Sequence, residues 1–343
     1  MKKEFYIFII ILAFLFPISI LVEEKINAPD ITKDPEYINM VFAGDIMLDR
    51  GVKNSVIKYF GGDYAQLFKN TEILKTFDIV FANLEGTVSD KGKNAGGIYS
   101  FHMDPIVIPV LKNAGINILS VANNHVADWG INAYIDTLTR LKEQGIPYTG
   151  GGQNKLEAET PTIIEKNGIK IGFLGFSDKG PDYMQAKVNT AGILSTRDSN
   201  FDEIIKQAAK QVDYLIVSFH FGEEYQTTHN KRQEYLAHKA VDDGAKIIIG
   251  SHPHVVEDTE VYSPKSCTQS SCMGFIAYSL GNFIFDQSWS APTMQGMLLE
   301  IKLYKNGSMT VRKDPTQLNS FFQLKKIIPG IEEKIIFEKQ KHP

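Results

Sequence analysis

Cysteine is almost absent: the 343 residues include two, Cys267 and Cys272. With no third thiol the chain cannot build a cysteine-rich metal site, and the spacing is not the Cys-x-x-Cys of a redox motif. The pair sits in the polar stretch Lys265-Ser266-Cys267-Thr268-Gln269-Ser270-Ser271-Cys272. A local disulfide is the simplest product of two such thiols, and it implies an oxidising compartment. Closing so short a loop contributes about 2 kcal/mol in the chain-entropy model, enough to pin the loop but not to hold a fold. Excess positive charge is missing too. Thirty-six Lys and Arg against 40 Asp and Glu leave a net charge of −4, which argues against nucleic acid as the partner. No repeat of solenoid period and no low-complexity tract occurs, so the chain reads as globular.

Long hydrophobic runs are equally scarce, with one exception at residues 5–22, broken only by Pro17 and Ser19 and preceded by Lys2 and Lys3. Eighteen helical residues span about 27 Å, close to a bilayer core. Positive charge on the short leading side predicts that everything after the run lies outside the cytoplasm. No Ala-x-Ala pattern precedes Glu23, so an uncleaved anchor is favoured over a cleaved signal peptide. Either one exports the chain. Residues 23–36, with Pro29 and Pro35, read as a linker; residues 37–320 read as one domain. The tail 321–343 has no clear pattern.

What the domain does contain is a series of apolar strands ending in polar residues. The clearest is Lys246-Ile247-Ile248-Ile249-Gly250-Ser251-His252-Pro253-His254. Helices are expected over 66–75, 131–144, 201–211 and 231–242, and from Asp104 as N-cap with Pro105 at the first position. Hairpins are expected at Asn167-Gly168 and Asn306-Gly307. Strands alternating with helices, with hairpins near the centre and end, predict a layered α/β sandwich of mixed sheets.

Open α/β sheets carry their chemistry at the carboxyl ends of strands. Here those ends bear Asp45, Glu85, Asn124 with His125, His220, and then His252 and His254. Each alone has an ordinary explanation as a turn former, a cap or a satisfied histidine. Together they are carboxylate, amide and imidazole donors of the kind that hold Mn, Zn, Fe or Mg.

Read in order, Gly44-Asp45, Asn83-Leu84-Glu85-Gly86, Ala122-Asn123-Asn124-His125, Ser218-Phe219-His220-Phe221-Gly222-Glu223-Glu224-Tyr225, Gly250-Ser251-His252-Pro253-His254 and Tyr278-Ser279-Leu280-Gly281-Asn282-Phe283 resemble the motif series of the CapA capsule-synthesis family. That family belongs to the calcineurin-like metallophosphoesterase superfamily. The resemblance covers about residues 40–299 and implies a four-layer αββα sandwich with one or two divalent ions at its edge. Carried over, it assigns Asp45, Glu85 and His254 to one ion, and Glu85, Asn124, His220 and His252 to the other. His125 takes the place of a catalytic histidine. One departure matters. The wider superfamily has Asp-x-His at the first strand, whereas this chain has Asp45-Ile46-Met47, and a thioether is a poor donor for such ions. Asp49 is the nearby carboxylate that could compensate.

Asn123, Glu223, Glu224, Tyr225 and Asn282 are further candidates, as supports for the ligands or contacts to substrate. Trp289 and Phe285 read as packing, and His102, His229 and His238 as ordinary surface histidines. The resemblance implies synthesis, export or anchoring of a capsular polymer such as poly-γ-glutamate, with polymer synthase or export subunits as partners. Three activities stay open: a metal-dependent phosphoesterase, an amide hydrolase, and an assembly subunit without catalysis.

Overall fold

The computed structural model describes residues 37–265, 272–306, 308–325, 327 and 329–336. The apolar run at 5–22, the linker, Cys267 and the last seven residues lie outside them. Among the described residues no helix is long and apolar enough to cross a membrane.

Strand β1, Tyr37–Ile46, is followed by helix α1, Arg50–Phe60, and strand β2, Ile79–Leu84. Helix α2 (Val107–Asn113), strand β3 (Ile118–Ser120), helix α3 (Ile131–Glu143) and strand β4 (Tyr148–Thr149) complete the first half. The hairpin of β5, Thr162–Lys166, and β6, Ile169–Ser177, opens a second sheet. Helix α4 (Phe201–Ala209), β7 (Tyr214–His220), helix α5 (Lys231–Asp242) and β8 (Ala245–Ser251) follow. Strands β9 (Thr259–Tyr262) and β10 (Gly274–Ala277) finish that sheet. The chain then returns to the first sheet with β11 (Asn282–Ile284), β12 (Gln295–Tyr304), β13 (Ser308–Gln317) and β14 (Glu332–Ile336).

The first sheet runs β14-β13-β12-β1-β2-β3-β4, with β11 also paired to β1; the second runs β9-β10-β8-β7-β6-β5. Both are mixed. In the first, β1 is parallel to β2 and β11 and antiparallel to β12. In the second, the antiparallel β5 and β9 flank a parallel centre.

Alternation along each strand decides the layering. On β1, Met40 and Phe42 join Phe173, Ile216, Ile247 and Ile249 between the sheets, while Val41 and Ala43 face the helical side with Val52, Leu111 and Leu138. On β8, Ile248 turns outward to Leu236, Ala237 and Ile205. A strand covered on both faces needs apolar residues at every position, so Ile247-Ile248-Ile249 is unbroken. The result is helix, sheet, sheet, helix.

Several expectations shift in detail. Residues 66–75 form two short 3-10 turns, Tyr64–Phe68 and Glu72–Thr76, broken where the Thr71 hydroxyl donates to the Phe68 carbonyl. The helix after Asp104 begins at Val107, and Asp104 accepts instead from the Ile106 amide in a turn. Helix α1 was not expected at all; it ends on Gly61 in the left-handed region (φ 61°). The Asn167-Gly168 hairpin is as expected, with φ of 54° and 71°. The tail contributes an edge strand, Glu332–Ile336, antiparallel to β13.

Helix α5 begins with a capping box in which the Asn230 side chain accepts from the Gln233 amide and Gln233 accepts from the Asn230 amide. The Gln233 side chain also donates to Glu257 at 2.6 Å, yet the other Glu257 oxygen has no partner. Burial pushes Glu257 up to about 7. A folded-state value above the unfolded one gives stability that is complete below about pH 4.5 and lost as pH rises through 7. Wild type is therefore expected to lose melting temperature between pH 5 and 8 relative to Glu257→Gln. Parallel pH profiles for the two proteins would refute this.

Candidate metal centre

The two sheets bring their carboxyl ends to one edge. In the first sheet Asp45 is level with both Asn83 and Asn282; in the second, His220 is level with Ser177 and Ser251. Two glycines permit the close approach. A Cβ on Gly44 would lie 1.8 Å from the Gly281 carbonyl oxygen, and one on Gly250 would lie 1.8 Å from that of Tyr278. Glycine is the residue that admits another backbone this near. Asp45 follows Gly44 directly, and His252 and His254 lie two and four residues after Gly250.

Asp45 is fully buried. Its Oδ1 accepts from the Asn83 amide at 2.7 Å and its Oδ2 from the His252 backbone N–H at 3.1 Å. Glu85 is equally buried, and neither of its carboxylate oxygens has a hydrogen-bond partner. His254 Nε2 lies 3.7 Å and His125 Nε2 3.8 Å from Glu85 Oε1. The His252 Nδ1 is buried and unpartnered as well. His220 Nε2 meets Asn124 Oδ1 at 2.7 Å, and its Nδ1 meets Ser251 Oγ at 3.2 Å.

A buried ionised carboxylate without a partner is strongly unfavourable unless a cation neutralises it. Donors about 2 Å from an ion lie roughly 3–4 Å from one another, and here His254 lies 3.4 Å from Asp45 through Nδ1 and 3.7 Å from Glu85 through Nε2. One donor atom each from Asp45, Glu85 and His254 lies within 4.8 Å of the others. The residues fit a divalent ion.

Backbone strain concentrates here. His252 (φ 98°), His254 (φ 58°), Tyr225 (φ 67°) and Arg50 (φ 48°) all adopt the left-handed region. Each such residue costs on the order of 1–3 kcal/mol, and such costs cluster at functional sites.

Electrostatics point the same way. Burial holds His220 and His252 well below the ordinary histidine range, and neighbouring imidazoles add to this, so both rings are neutral donors. Burial pushes the Glu85 carboxyl well up, with Asp45, Glu224 and Asp128 acting in the same direction and His254 against it. Burial disfavours charge on His254 too, but Glu85 and Asp45 more than offset this and raise it to about 9. Without an ion the centre therefore holds protons that an ion would displace.

Asn282 orients the His254 ring. Its amide nitrogen donates to Gln287 Oε1 at 3.0 Å and to the Thr293 carbonyl at 2.9 Å. That leaves its Oδ1 to accept from His254 Nδ1 at 3.0 Å, directing Nε2 towards Glu85. Asn282→Ala is expected to weaken metal binding about 10–100-fold, measured by competition with a chromogenic chelator. Unchanged affinity would refute the orienting role.

His125 sits at the floor of an adjoining cleft of about 230 Å³. Asp128 Oδ2 accepts from its Nδ1 at 2.8 Å and also from the Phe101 amide. The cleft walls include Phe101, Tyr225, Trp289 and Arg50. Trp289 is 61% exposed and meets Tyr225 edge-on at 4.5 Å, so it is less a packing residue than the sequence suggested. Phe285, by contrast, is buried with Phe101 and Met47. Arg50 forms a two-pronged pair with Asp286 and lies 4.9 Å over the Phe101 ring.

Of the sequence candidates, Asp45, Glu85, Asn124, His125, His220, His252, His254, Asn282, Glu224 and Tyr225 come together. Asp49 does not enter the cluster: its carboxylate accepts from the His102 amide at 2.8 Å. Glu223 is exposed and pairs with Lys179 at 3.0 Å. Asn123 braces the loop, donating to the Leu84 carbonyl and accepting from the His125 amide. The proposed partner of Cys272, Cys267, lies outside the described residues. His102 stacks on Trp129, His229 pairs with Asp258, and His238 pairs with Glu260. Sequence reasoning missed Asn83, Asp128, Arg50 and Asp286. Asp128, three residues after His125, carried the clearest signal.

Comparison with known proteins supplies the rest. The chain is 32% identical over 324 residues to the PGA biosynthesis protein CapA of Bacillus subtilis (strain 168), covering 93% of this chain and 82% of that one. It is 34% identical over 293 residues to the capsule biosynthesis protein CapA of Bacillus anthracis, covering 82% and 67%. Among solved structures, the calcineurin-like phosphoesterase YfkN from Bacillus subtilis matches with a TM-score of 0.41 at 14% identity, covering 88% of this chain and 91% of that one. Residues 39–287 match the family model described as bacterial capsule synthesis protein PGA_cap. The chain belongs to that family.

Proposed function

We propose that this chain is a metal-dependent hydrolase of capsule synthesis, acting on the γ-amide bonds of a polymer such as poly-γ-glutamate or on a phosphoester of another cell-envelope substrate. The observation that carries the reading is the buried Glu85 carboxylate, which has no hydrogen bond and is set among Asp45, His254 and His125. Asp45, Glu85 and His254 would hold one divalent ion, and Glu85, Asn124, His220 and His252 a second. When bound, such an ion supplies Lewis-acid polarisation of a carbonyl or phosphoryl oxygen. His125 is held by Asp128 with its Nε2 towards the cleft, where it can give a proton to a leaving group. Phe101, Tyr225 and Trp289 line the cleft and give it aromatic surface against which a substrate can pack.

The reading includes a tether. Residues 5–22 anchor the domain at the outer face of the membrane, residues 23–36 are its leash, and Cys267–Cys272 is a disulfide suited to that compartment. Polymer synthase or export subunits would deliver the substrate there. Protease added to intact cells should cut the domain, and full protection would contradict the placement.

The function is tested with the full chain in detergent, assayed on phosphoester and γ-glutamyl amide substrates with and without chelator. Chelator-sensitive cleavage of either class supports the reading. Bound metal with no cleavage of either class would favour the assembly role.

A further inference from the structure

The metal reading leaves a gap at Met47. That side chain is fully buried with Phe101 and Phe285, and its sulfur accepts from the Asp49 amide at 3.2 Å, so it faces apolar packing. A replacement donor has to come from another element, and the loop after β7 offers one. One carboxylate oxygen of Glu224 and one ring nitrogen each of His252 and His254 lie within 4.8 Å of one another. His254 belongs equally to the group formed with Asp45 and Glu85.

We propose that Glu224 is a metal ligand of this centre, supplying from the loop after β7 the donor that Met47 cannot, through His254, which the two groups share, and with His252 beside it. The proposal rests on the metal-centre reading above. Three observations beyond proximity support it. His252 Nδ1 is buried without a partner, so the group contains a donor awaiting an acceptor of its lone pair or proton. The two loops are stitched together by the Tyr225 amide donating to the Pro253 carbonyl at 2.8 Å. The residues around that bond, Tyr225, His252 and His254, all have left-handed backbone, which non-glycine residues adopt only under constraint. The neighbour Glu223 is instead engaged with Lys179, whereas Glu224, also exposed, brings a carboxylate oxygen within 4.8 Å of a ring nitrogen of each histidine.

The assignment has a chemical consequence. Adding Glu224 to Asp45 and Glu85 gives three carboxylates beside neutral imidazoles, an oxygen-rich set that suits harder ions such as Mn(II).

The test is titration of the metal-free full chain with Mn(II), followed by calorimetry and by the electron paramagnetic resonance of the bound ion. Loss of even an indirect support of a ligand weakens metal binding about 10–100-fold. Glu224→Gln is therefore expected to lower Mn(II) affinity by about 100-fold or to remove one equivalent, with a changed resonance spectrum. Asp182→Asn, an exposed carboxylate paired with Arg197, should match wild type. Equal melting temperatures of the metal-free proteins would establish that Glu224→Gln folds. Wild-type stoichiometry, affinity and spectrum in Glu224→Gln overturn the assignment. If Glu85→Gln loses Mn(II) in the same series, the centre stands and only Glu224 falls. If Glu85→Gln also binds as wild type, the metal-centre reading itself fails.

Discussion

Glu85→Gln is expected to abolish metal binding while making the metal-free protein more stable above about pH 5. The substitution keeps the shape of the side chain and removes its charge. Glu85 sits at zero exposure with neither carboxylate oxygen hydrogen-bonded, and it is the residue that the two proposed ion positions share. Losing a shared ligand should weaken binding by about 1000-fold or more, beyond the 10–100-fold of an indirect support. The stability change has the opposite sign. Because burial raises the folded-state value of Glu85, its contribution is complete below the unfolded value and declines as pH rises through the folded one. Glutamine has no such decline. Metal-free Glu85→Gln should therefore melt higher than metal-free wild type at neutral pH, and added Mn(II) should no longer raise its melting temperature. A misfolded variant would melt lower, so the two effects together separate a lost ligand from a damaged fold.

His125→Asn is expected to reduce turnover by about 10²–10⁴-fold with metal content unchanged, the range for a positioned acid or base. The geometry explains the separation of effects. His125 contacts Asp128 through Nδ1 and packs against Phe101 with ring centroids 3.9 Å apart and planes tilted by 32°, while its Nε2 lies beyond bonding distance of Glu85. It faces the cleft beside the ligand cluster. Asp128→Asn should give an intermediate loss and a changed pH profile, because it disturbs the proton on Nδ1 without removing the ring. Metal loss in His125→Asn would instead make the histidine a ligand.

Much of this site was legible in the sequence because of where apolar runs stop. Strands β7 and β8 are covered on both faces, so the runs Tyr214-Leu215-Ile216-Val217 and Ile247-Ile248-Ile249 are apolar without a break, and polar residues return as the strands reach the edge. Gly44 and Gly250 were visible as glycines before the ligands, although their reason, the neighbouring carbonyls of Gly281 and Tyr278, belongs to the folded chain. Helix α1 was hidden by its mixed face: Ile57 and Tyr59 are more than half exposed beside buried Val52 and Val56. The break in residues 66–75 falls at Thr71, whose hydroxyl donates to the Phe68 carbonyl, a local detail that periodicity does not register. Glu223 and Glu224 are adjacent and chemically identical. Only the turn that ties Tyr225 to Pro253 distinguishes the one that meets the histidines from the one that meets Lys179. Asp49 failed for a similar reason, since the His102 amide that occupies it is distant in sequence.

The most direct measurement is anomalous diffraction at the manganese edge from crystals of the full chain grown with Mn(II). The account requires a peak inside the cluster, about 2.0–2.3 Å from donor atoms of Glu85 and His254. No peak there, with the Glu85 oxygens satisfied by water or by a protein donor, would contradict it.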